Sequence, residues 1–214
     1  YHTIALTTSE PSIAAIPASL PFGDVVLGSS SVDSVKVKNT GPMFSLSVSG
    51  VAVSGAEAAS FTATPATLSV PAGDSAYVKV TFTPTSVGAK AASLVLTHNA
   101  EGSPTSIALS GTGVFPGIVV STLPAFGDVL VGSSTTDSTK VKNTGTATLS
   151  VSNIAVTGTD AGRFTATPSS LTLAAGDSVY VRVIFTPNSL GDRAASLVLT
   201  HNAEGSPTSI ALSG

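Results

Sequence analysis

The sequence contains no cysteine and no tryptophan. The absence of cysteine excludes disulfides, thiolate metal ligands and a cysteine nucleophile. Charged residues are only 10% of the chain, nine basic against twelve acidic, and the formal charge of −3 provides no basic field for nucleic acid or an anionic membrane surface. No apolar run approaches the roughly 18 residues of a membrane-spanning helix. We therefore expect neither nucleic-acid binding nor membrane insertion.

The 214 residues contain one sequence unit twice. Residues 22–25 (Phe-Gly-Asp-Val) return at 126–129, and residues 36–41 (Lys-Val-Lys-Asn-Thr-Gly) return at 140–145. One residue has been lost between Gly145 and Leu149. The 21 residues 91–111 recur unchanged as residues 194–214. A fixed period of this length predicts two copies of one structural unit.

Within each unit the hydrophobic pattern has a period of two. Val78, Val80 and Phe82 alternate with residues typical of a solvent-facing side, and the second copy repeats the pattern. Similar short segments, rich in β-branched residues and bounded by turn residues, occupy residues 34–38, 46–53, 92–97 and 105–110. No window shows a helical period. We predict an all-β chain of two tandem, antiparallel, immunoglobulin-like β-sandwiches with seven to eight strands each.

The boundaries of these domains follow from the repeat. Residues 12–113 are predicted to form domain 1 and residues 114–214 domain 2. Residues 1–11 are interpreted as a leader, because residues 3–6 (Thr-Ile-Ala-Leu) resemble 106–109 (Ser-Ile-Ala-Leu) and so could be the last strand of a preceding repeat in a longer array. A first strand of coincidental composition is the other interpretation. The join, residues 111–120, is partly apolar, so we expect it to pack against a sheet or the neighbouring unit and to form a semi-rigid rod.

The order of these motifs resembles a known family. It is carried by Phe-Gly-Asp-Val at 22–25, Asn-Thr-Gly at 39–41, Phe61, Pro65, Ala-Gly-Asp at 72–74, the strand 80–84 (Val-Thr-Phe-Thr-Pro) and Leu-Ser-Gly at 109–111. This order is similar to the ASH immunoglobulin-like domain of abnormal spindle, spindle-defective and hydin proteins, which is related to the major sperm protein fold. The resemblance implies a scaffold rather than a catalyst. Bacterial relatives are tandem modules of large secreted or surface-anchored proteins, and the Ala/Ser/Thr/Val-rich composition is closer to that set.

Most motif residues have a structural interpretation. Gly41 and Gly145 follow Asn-Thr, where we expect a positive φ. Asn39 and Asn143 can hydrogen-bond the turn backbone themselves. Pro84 and Pro187 each end a strand. Phe22, Phe61, Phe82 and their counterparts in the second copy are expected to fill the core.

Candidate catalytic or metal-binding groups are few. His98 and His201, each followed three residues later by Glu101 or Glu204, could suggest a half-site for a metal or a general base. A strong site needs three or four converging ligands, so we interpret both histidines as solvated residues of a plain hairpin loop. No Gly-x-Ser-x-Gly elbow is present. The sequence therefore predicts no catalytic, cofactor-binding or metal-binding residues, no cofactor and no enzyme activity.

The remaining charged residues are expected to be structural. Asp24, Asp33 and Asp74 lie singly, without the spacing of a calcium loop, so calcium at the junction is the weaker alternative; Asp74 is interpreted as a turn residue. Lys36 with Lys38, and Lys140 with Lys142, place two positive charges on one strand face. This face is either simply solvated or protects an edge strand from self-pairing.

We therefore expect a non-enzymatic spacer, adhesive stalk or fibre repeat at the surface of a bacterium or outside it, with proteins as partners: neighbouring repeats or copies of itself. A small-molecule ligand is not expected. If residues 3–6 take the last-strand position of another unit, chains could assemble by strand addition. One alternative is an intracellular cytoskeletal or ciliary scaffold. Another is a carbohydrate-binding accessory domain of a secreted hydrolase, for which the chain offers as aromatic platforms only Tyr1, Tyr77 and Tyr180.

Overall fold

The computed structural model describes residues 10–214. The chain divides into two compact units, with the boundary between Val114 and Phe115, which we call domain 1 and domain 2. Both are built from strands, and each also has a single 3₁₀ turn, Ala58–Ser60 and Ala161–Arg163. The possible leader strand at residues 3–6 lies outside the described residues. In the described part of the chain, no helix is both long and apolar enough to span a membrane.

Domain 1 is a sandwich of two sheets. One sheet has the order β1-β3-β7-β5 and the other β2-β9-β8-β4-β6. From residue 10 onward its nine strands are β1 Ile13–Ile16, β2 Ser19–Val26, β3 Ser31–Asn39, β4 Leu46–Ser54, β5 Phe61–Thr64, β6 Leu68–Val70, β7 Ser75–Phe82, β8 Gly88–His98 and β9 Thr105–Val114.

Domain 2 repeats this architecture with one strand fewer. Its sheets have the orders β10-β11-β15-β13 and β14-β12-β16-β17. The eight strands are β10 Ile118–Val120, β11 Thr135–Asn143, β12 Leu149–Thr157, β13 Phe164–Thr167, β14 Leu171–Leu173, β15 Ser178–Phe185, β16 Ala194–His201 and β17 Thr208–Ser213. The all-β, two-sandwich prediction is confirmed, and domain 1 exceeds the expected seven to eight strands by one.

Each domain has its own hydrophobic core, formed by the inward residues of the alternating pattern. In β7, Val78, Val80 and Phe82 are fully buried while Tyr77 and Lys79 face solvent. Three phenylalanine rings pack together at one end of each core, as predicted. The ring centroids of Phe61 and Phe82 lie 4.8 Å apart, and those of Phe22 and Phe82 lie 5.6 Å apart. Domain 2 repeats the cluster with Phe126, Phe164 and Phe185. Such close aromatic packing stabilises beyond the area it buries.

One strand pair departs from the predicted antiparallel arrangement. In domain 1, β2 runs parallel to β9, with Leu20 opposite Leu109 and Val25 opposite Gly113. The two strands lie at opposite ends of the repeat, so no short turn has to join them and either direction is sterically open to them. The alternating pattern reports which face is buried and not the direction of the neighbouring strand.

The equivalent segment of domain 2 is not a strand. Domain 1 reads Leu20-Pro21-Phe22, whereas domain 2 has one extra residue, Ala125, between Pro124 and Phe126. Leu20 and Phe22 lie two positions apart and share one face of a strand. Leu123 and Phe126 are three apart and both pack into the core, so the backbone between them cannot keep a regular ladder. A single hydrogen bond, from the Phe126 N–H to the Ser213 oxygen (2.9 Å), joins this segment to β17 in a position where domain 1 has a ladder.

Candidate interaction surfaces

The two histidines end β8 and β16, in hairpins that lead to β9 and β17. His98 is 6% exposed and His201 7%, so the prediction of solvated side chains is wrong. The ring Nε2 of His98 lies 2.9 Å from Thr105 Oγ1, and the Ala100 N–H donates to Nδ1 (3.2 Å). Because Nδ1 accepts, Nε2 carries the proton and donates to the threonine. His201 makes the same contact with Thr208 at 2.9 Å.

This environment suits a structural histidine. Burial lowers the pKa of both His98 and His201, so the neutral ring is favoured. Glu101 and Glu204 face solvent, and within residues 10–214 no three acidic or histidine side chains converge on a point that could hold a metal ion. The buried imidazole therefore ties two strands together at the end of the hairpin.

Asn39 and Asn143 lie at the centre of the other loop cluster of each domain. The Asn39 amide is fully buried; its Nδ2 donates to the oxygens of Phe44 (2.8 Å) and Val70 (3.0 Å). Its Oδ1 accepts from the N–H groups of Gly41 (3.0 Å) and Ser12 (3.4 Å). The predicted role in the turn is confirmed, and the side chain reaches further than predicted, to β6 and the start of β1.

Asn143 repeats these contacts in domain 2. Its Nδ2 donates to the oxygens of Ala147 (2.8 Å) and Leu173 (3.0 Å), and its Oδ1 accepts from Gly145 (2.9 Å) and Gly117 (3.3 Å). Both amides use all four of their hydrogen-bonding positions, which is what burial of so polar a group requires.

Gly41 and Gly145 are needed for a different reason from the one predicted. Neither has a positive φ. A Cβ on Gly41 would lie 2.7 Å from the Glu10 oxygen, and one on Gly145 would lie 2.3 Å from the Phe115 oxygen. Close approach of a second backbone segment, and not a left-handed turn, therefore requires glycine at these positions.

A polar face with one exposed tyrosine recurs on the β1-β3-β7-β5 sheet and its counterpart. Tyr77 is 60% exposed and lies opposite Lys36, while Lys79 follows two positions along on the same face. In domain 2, Tyr180 is 61% exposed and lies opposite Lys140, with Arg182 and Lys142 nearby on that face. We call these two surfaces the tyrosine faces. Because β3 and β11 are inner strands, the alternative that their lysines protect a sheet edge is excluded.

An ion pair with a buried lysine and an exposed glutamate was missed by the sequence reasoning. The Lys90 amine is held 3.1 Å from a Glu57 carboxylate oxygen and 2.8 Å from Ser86 Oγ, and Lys90 is 7% exposed. Domain 2 has Arg193 and Asp160 instead, with the guanidinium Nε 3.8 Å from the carboxylate. Between the two domains both residues of the ion pair differ, but each keeps its charge. Comparing the two copies of the sequence could therefore have revealed the pair.

The aspartates predicted to be structural make local contacts. Asp33 Oδ1 accepts from the Ser34 N–H at 2.7 Å, and Asp137 makes the same bond with Ser138. The Asp74 N–H donates to the Pro71 oxygen in the turn before β7, as expected for a turn residue. These contacts orient backbone and bring no carboxylates together.

Two sheets packed face to face over a common core, present twice, define an immunoglobulin-like protein. Residues 10–106 match the family model described as "Abnormal spindle-like microcephaly-assoc'd, ASPM-SPD-2-Hydin", named ASH, and residues 118–214 match that of the "HYDIN/CFA65/VesB-like, Ig-like domain". Domain 1 therefore matches the ASH family, and domain 2 matches the HYDIN/VesB-like immunoglobulin-like family, each over most of its length. This agrees with the resemblance noted in the sequence. A search of curated proteins found no match.

Several solved structures are similar to the chain. A protein of unknown function from Porphyromonas gingivalis is 18% identical, with a TM-score of 0.41, and 94% of this chain and 98% of that chain are covered. The ASH/PapD-like domain 7 of human CEP192 is 16% identical (TM-score 0.39; 53% of this chain and 94% of that one). The secreted serine protease VesC of Vibrio cholerae is 10% identical (TM-score 0.38; 86% and 48%). At these values we draw no functional argument from them.

Proposed function

We propose that this chain is a non-enzymatic structural and interaction module: a spacer, adhesive stalk or fibre repeat of a large secreted or surface-anchored bacterial protein. Both halves belong to families of immunoglobulin-like domains, which are generally non-catalytic. In this proposal the function of the chain is mechanical. Each domain holds its fold under load and keeps what is attached to its ends apart.

The observation that carries the proposal is the way the chain passes from one domain to the next. Val114, the last residue of β9, is 6% exposed and pairs with Val26. The next residue, Phe115, already belongs to domain 2, where its oxygen accepts from the N–H groups of Thr146 (2.7 Å) and Ala147 (2.8 Å). No free linker residue remains between the two folds. This supports a spacer, since slack in a linker would be extended before either domain bears load.

Stretching single molecules of the 214-residue chain tests the proposal. We expect two separate unfolding events, each releasing roughly 30 nm of chain, because about 100 residues extend by about 3.3–3.6 Å each. Asn143→Ala should lower the force of one event and leave the other unchanged, which provides a matched control. A single event, or extension at negligible force, would contradict a load-bearing tandem.

The cellular setting needs a different measurement. The gene sequence upstream of this segment separates the surface proposal from an intracellular scaffold: a secretion signal supports the former. Coiled-coil or calmodulin-binding segments without such a signal would support the scaffold.

A second candidate, a carbohydrate-binding module, is favoured by the exposed rings of Tyr77 and Tyr180 on the tyrosine faces. Sugars stack on exposed aromatic rings, and lysines beside the ring could hydrogen-bond hydroxyl or acidic groups. A glycan panel tests this candidate. Binding that is lost in the Tyr77→Ala, Tyr180→Ala double variant would support it, and a panel without binding would exclude it for the glycans tested.

A further inference from the structure

The tyrosine faces hold most of the positive charge of a chain whose formal net charge is −3. Six of its nine basic residues point outward from these two sheets, three in each domain: Lys36, Lys38 and Lys79, and Lys140, Lys142 and Arg182. In the described strands of the two sheets the only acidic residues are Asp33 and Asp137. Each lies opposite a buried valine, Val80 or Val183, and therefore on the inward side. The outward side of each sheet carries cations alone.

These six cations have no carboxylate partner. The two ion pairs found within residues 10–214 use Lys90 and Arg193 instead. Lys36 and Lys38 lie two positions apart on one strand, about 6.7 Å along it. Like charges at this separation repel one another, and a bound anion would relieve the repulsion. Each face is therefore complementary in charge to an anionic partner.

Comparison of the two copies shows which features the faces share. Both have an exposed tyrosine at the same position, and Lys79 of domain 1 is replaced by Arg182 in domain 2, so the cation is kept although the residue differs. Short hydroxyl side chains flank this cation in both copies: Ser34 and Thr64 beside Lys79, and Ser138 and Thr167 beside Arg182. The common pattern is one aromatic ring, three cations and neighbouring hydroxyl groups.

The position of this pattern in the sheet limits what it can recognise. The strands β3, β7, β11 and β15 are all inner strands, so their backbone groups are paired on both sides and the face offers side chains only. Bound peptides commonly pair with a strand edge or fill a groove. Single-stranded nucleic acid stacks successive bases on several rings in a groove, whereas each face has one exposed ring. A sugar ring, which lays its C–H groups on an aromatic ring, fits a single exposed tyrosine better.

The distance from the ring to the cations indicates a charged sugar. Lys36 lies directly opposite Tyr77 on the neighbouring strand, where Cβ atoms are about 4.5–5.5 Å apart. Lys79 is two positions further along the strand of the tyrosine. A sugar stacked on the ring thus has cations on two sides, within reach of a carboxylate attached directly to it. Lysine and arginine make charge-assisted hydrogen bonds with carboxylates.

We propose that each tyrosine face binds an acidic polysaccharide built from uronic acid units. A sugar ring stacks on Tyr77 or Tyr180, its carboxylates accept from the cations beside that ring, and its hydroxyl groups bond the neighbouring serine and threonine. This inference rests on the carbohydrate-binding candidate and narrows it to one class of glycan. It does not depend on the spacer function.

The test titrates the full 214-residue chain with tetragalacturonate. We expect saturable binding with a dissociation constant below about 1 mM at about 0.05 M salt, with amide shifts in NMR spectra in β3, β7, β11 and β15. The same oligosaccharide with its carboxyl groups reduced to alcohols should bind at least about tenfold more weakly, because it loses the charge-assisted bonds. Raising the salt to about 0.5 M should weaken binding at least about fivefold, since salt screens exposed charges.

Variants in one domain locate the site, and the other domain is the internal control. Tyr180→Ala should weaken binding to domain 2 at least about tenfold and leave domain 1 unchanged, whereas Tyr180→Phe should keep it, because the face of the ring remains. Lys140→Gln should weaken binding to domain 2 about threefold or more. Arg163→Gln removes the same charge from the 3₁₀ turn, where the Arg163 oxygen accepts from Thr186, six residues past Tyr180. It should have no effect. Thermal unfolding checks that each variant is folded.

Each contrary result has a separate meaning. If the reduced oligosaccharide binds as well as the acidic one, the acidic class is wrong and the carbohydrate-binding candidate stands. If the folded chain binds neither oligosaccharide nor any member of the glycan panel, both are wrong. Equally tight binding of oligoglutamate, single-stranded DNA or phosphatidylserine vesicles would show that charge alone is recognised and would overturn the proposal, as would equal losses from Lys140→Gln and Arg163→Gln. The number of unfolding events under force judges the spacer function independently.

Discussion

Residues 91–111 of domain 1 and 194–214 of domain 2 are the same 21 amino acids, but the two copies differ in how they are buried. Ile107 is 1% exposed, whereas its twin Ile210 is only partly buried. Leu109 and Leu212, in contrast, are equally buried, at 1% and 2%.

The difference is set by the neighbouring strand. In domain 1, β2 pairs along the outer edge of β9 and covers Ile107. In domain 2, the segment that carries the extra Ala125 is not a strand, and one hydrogen bond, from the Phe126 N–H, joins it to the edge of β17. The face of β9 and β17 that meets the opposite sheet is common to both domains. The burial of the inner face of β9 and β17 therefore follows from their own sequence. The burial along their edge depends on a segment almost 90 residues away.

The largest effect is predicted for the buried asparagine that both domains share. Asn39→Ala and Asn143→Ala each remove four hydrogen bonds from a buried hub, and each should lower the free energy of unfolding of its own domain by about 3–4 kcal/mol. Residue-resolved amide hydrogen exchange separates the two domains. Asn99→Ala, which removes an exposed side chain that accepts from the Ser47 N–H (2.8 Å), is the control and should cost about 1 kcal/mol or less. Unequal losses from the two buried asparagines would show that the hubs are not equivalent.

A second effect is predicted from the different burial of Ile107 and Ile210. Ile107→Ala should destabilise domain 1 by about 3–4 kcal/mol, whereas Ile210→Ala should cost domain 2 only about 1–2 kcal/mol, since the second side chain loses less buried contact. Leu109→Ala and Leu212→Ala serve as the matched pair and should have equal effects. Denaturant unfolding followed by domain-specific NMR signals provides the measurement. If the two isoleucine variants were equally costly, the exposed edge of β17 would not be an energetic difference.

A smaller effect is expected where the copies differ by one core side chain. Val35 of β3 is replaced by Thr139 in β11, and both are fully buried. The Thr139 hydroxyl donates to the backbone carbonyl oxygen of Ser121 at 2.6 Å. Val35→Thr should cost about 1–3 kcal/mol, because Ile16 stands where domain 2 has Ser121 and lacks the hydroxyl that accepts from the Lys140 N–H and leaves the Ser121 carbonyl oxygen to the threonine. Thr139→Val should change stability by about 1 kcal/mol or less, since Ser121 is exposed and water can hydrogen-bond its carbonyl oxygen. Thermal unfolding of both variants checks this, and a larger loss for Thr139→Val would refute it.

The smallest effect is expected from pH and should be the same in both domains. Burial lowers the folded-state pKa of His98 and His201 below the unfolded value of about 6.5. The unfolded chain then binds protons more readily, so this contribution is complete above about pH 6.5 and is lost as the pH falls towards the lowered pKa. Each domain should lose stability between about pH 7 and pH 5. His98→Gln should remove this dependence from domain 1 alone, and His201→Gln from domain 2 alone. A dependence that persists in the double variant would assign it to other groups.

Much of the fold could be predicted because alternation is a local property. The predicted strands at 34–38, 46–53, 92–97 and 105–110 all lie within observed strands, which are generally longer at their ends. The phenylalanine core and the turn role of Asn39 were predictable for the same reason: each depends on residues near in sequence or on a side chain with few alternatives.

The errors have a common physical origin. His98 was expected in solvent because imidazole is polar and lies near a loop, but its partner Thr105 and the covering backbone are set by the hairpin. The need for glycine at Gly41 comes from the approach of Glu10, 31 residues earlier. That β3 is an inner strand depends on β1 pairing beside it. In each case the deciding contact is remote in sequence.

The sequence by itself determined that the chain is built twice from short alternating strands, because a side chain's face in a strand is set by its own position and by the burial of apolar groups. Tertiary structure alone decided which strand edges are covered and that β2 runs parallel to β9. These features depend on hydrogen bonds between segments far apart in the chain.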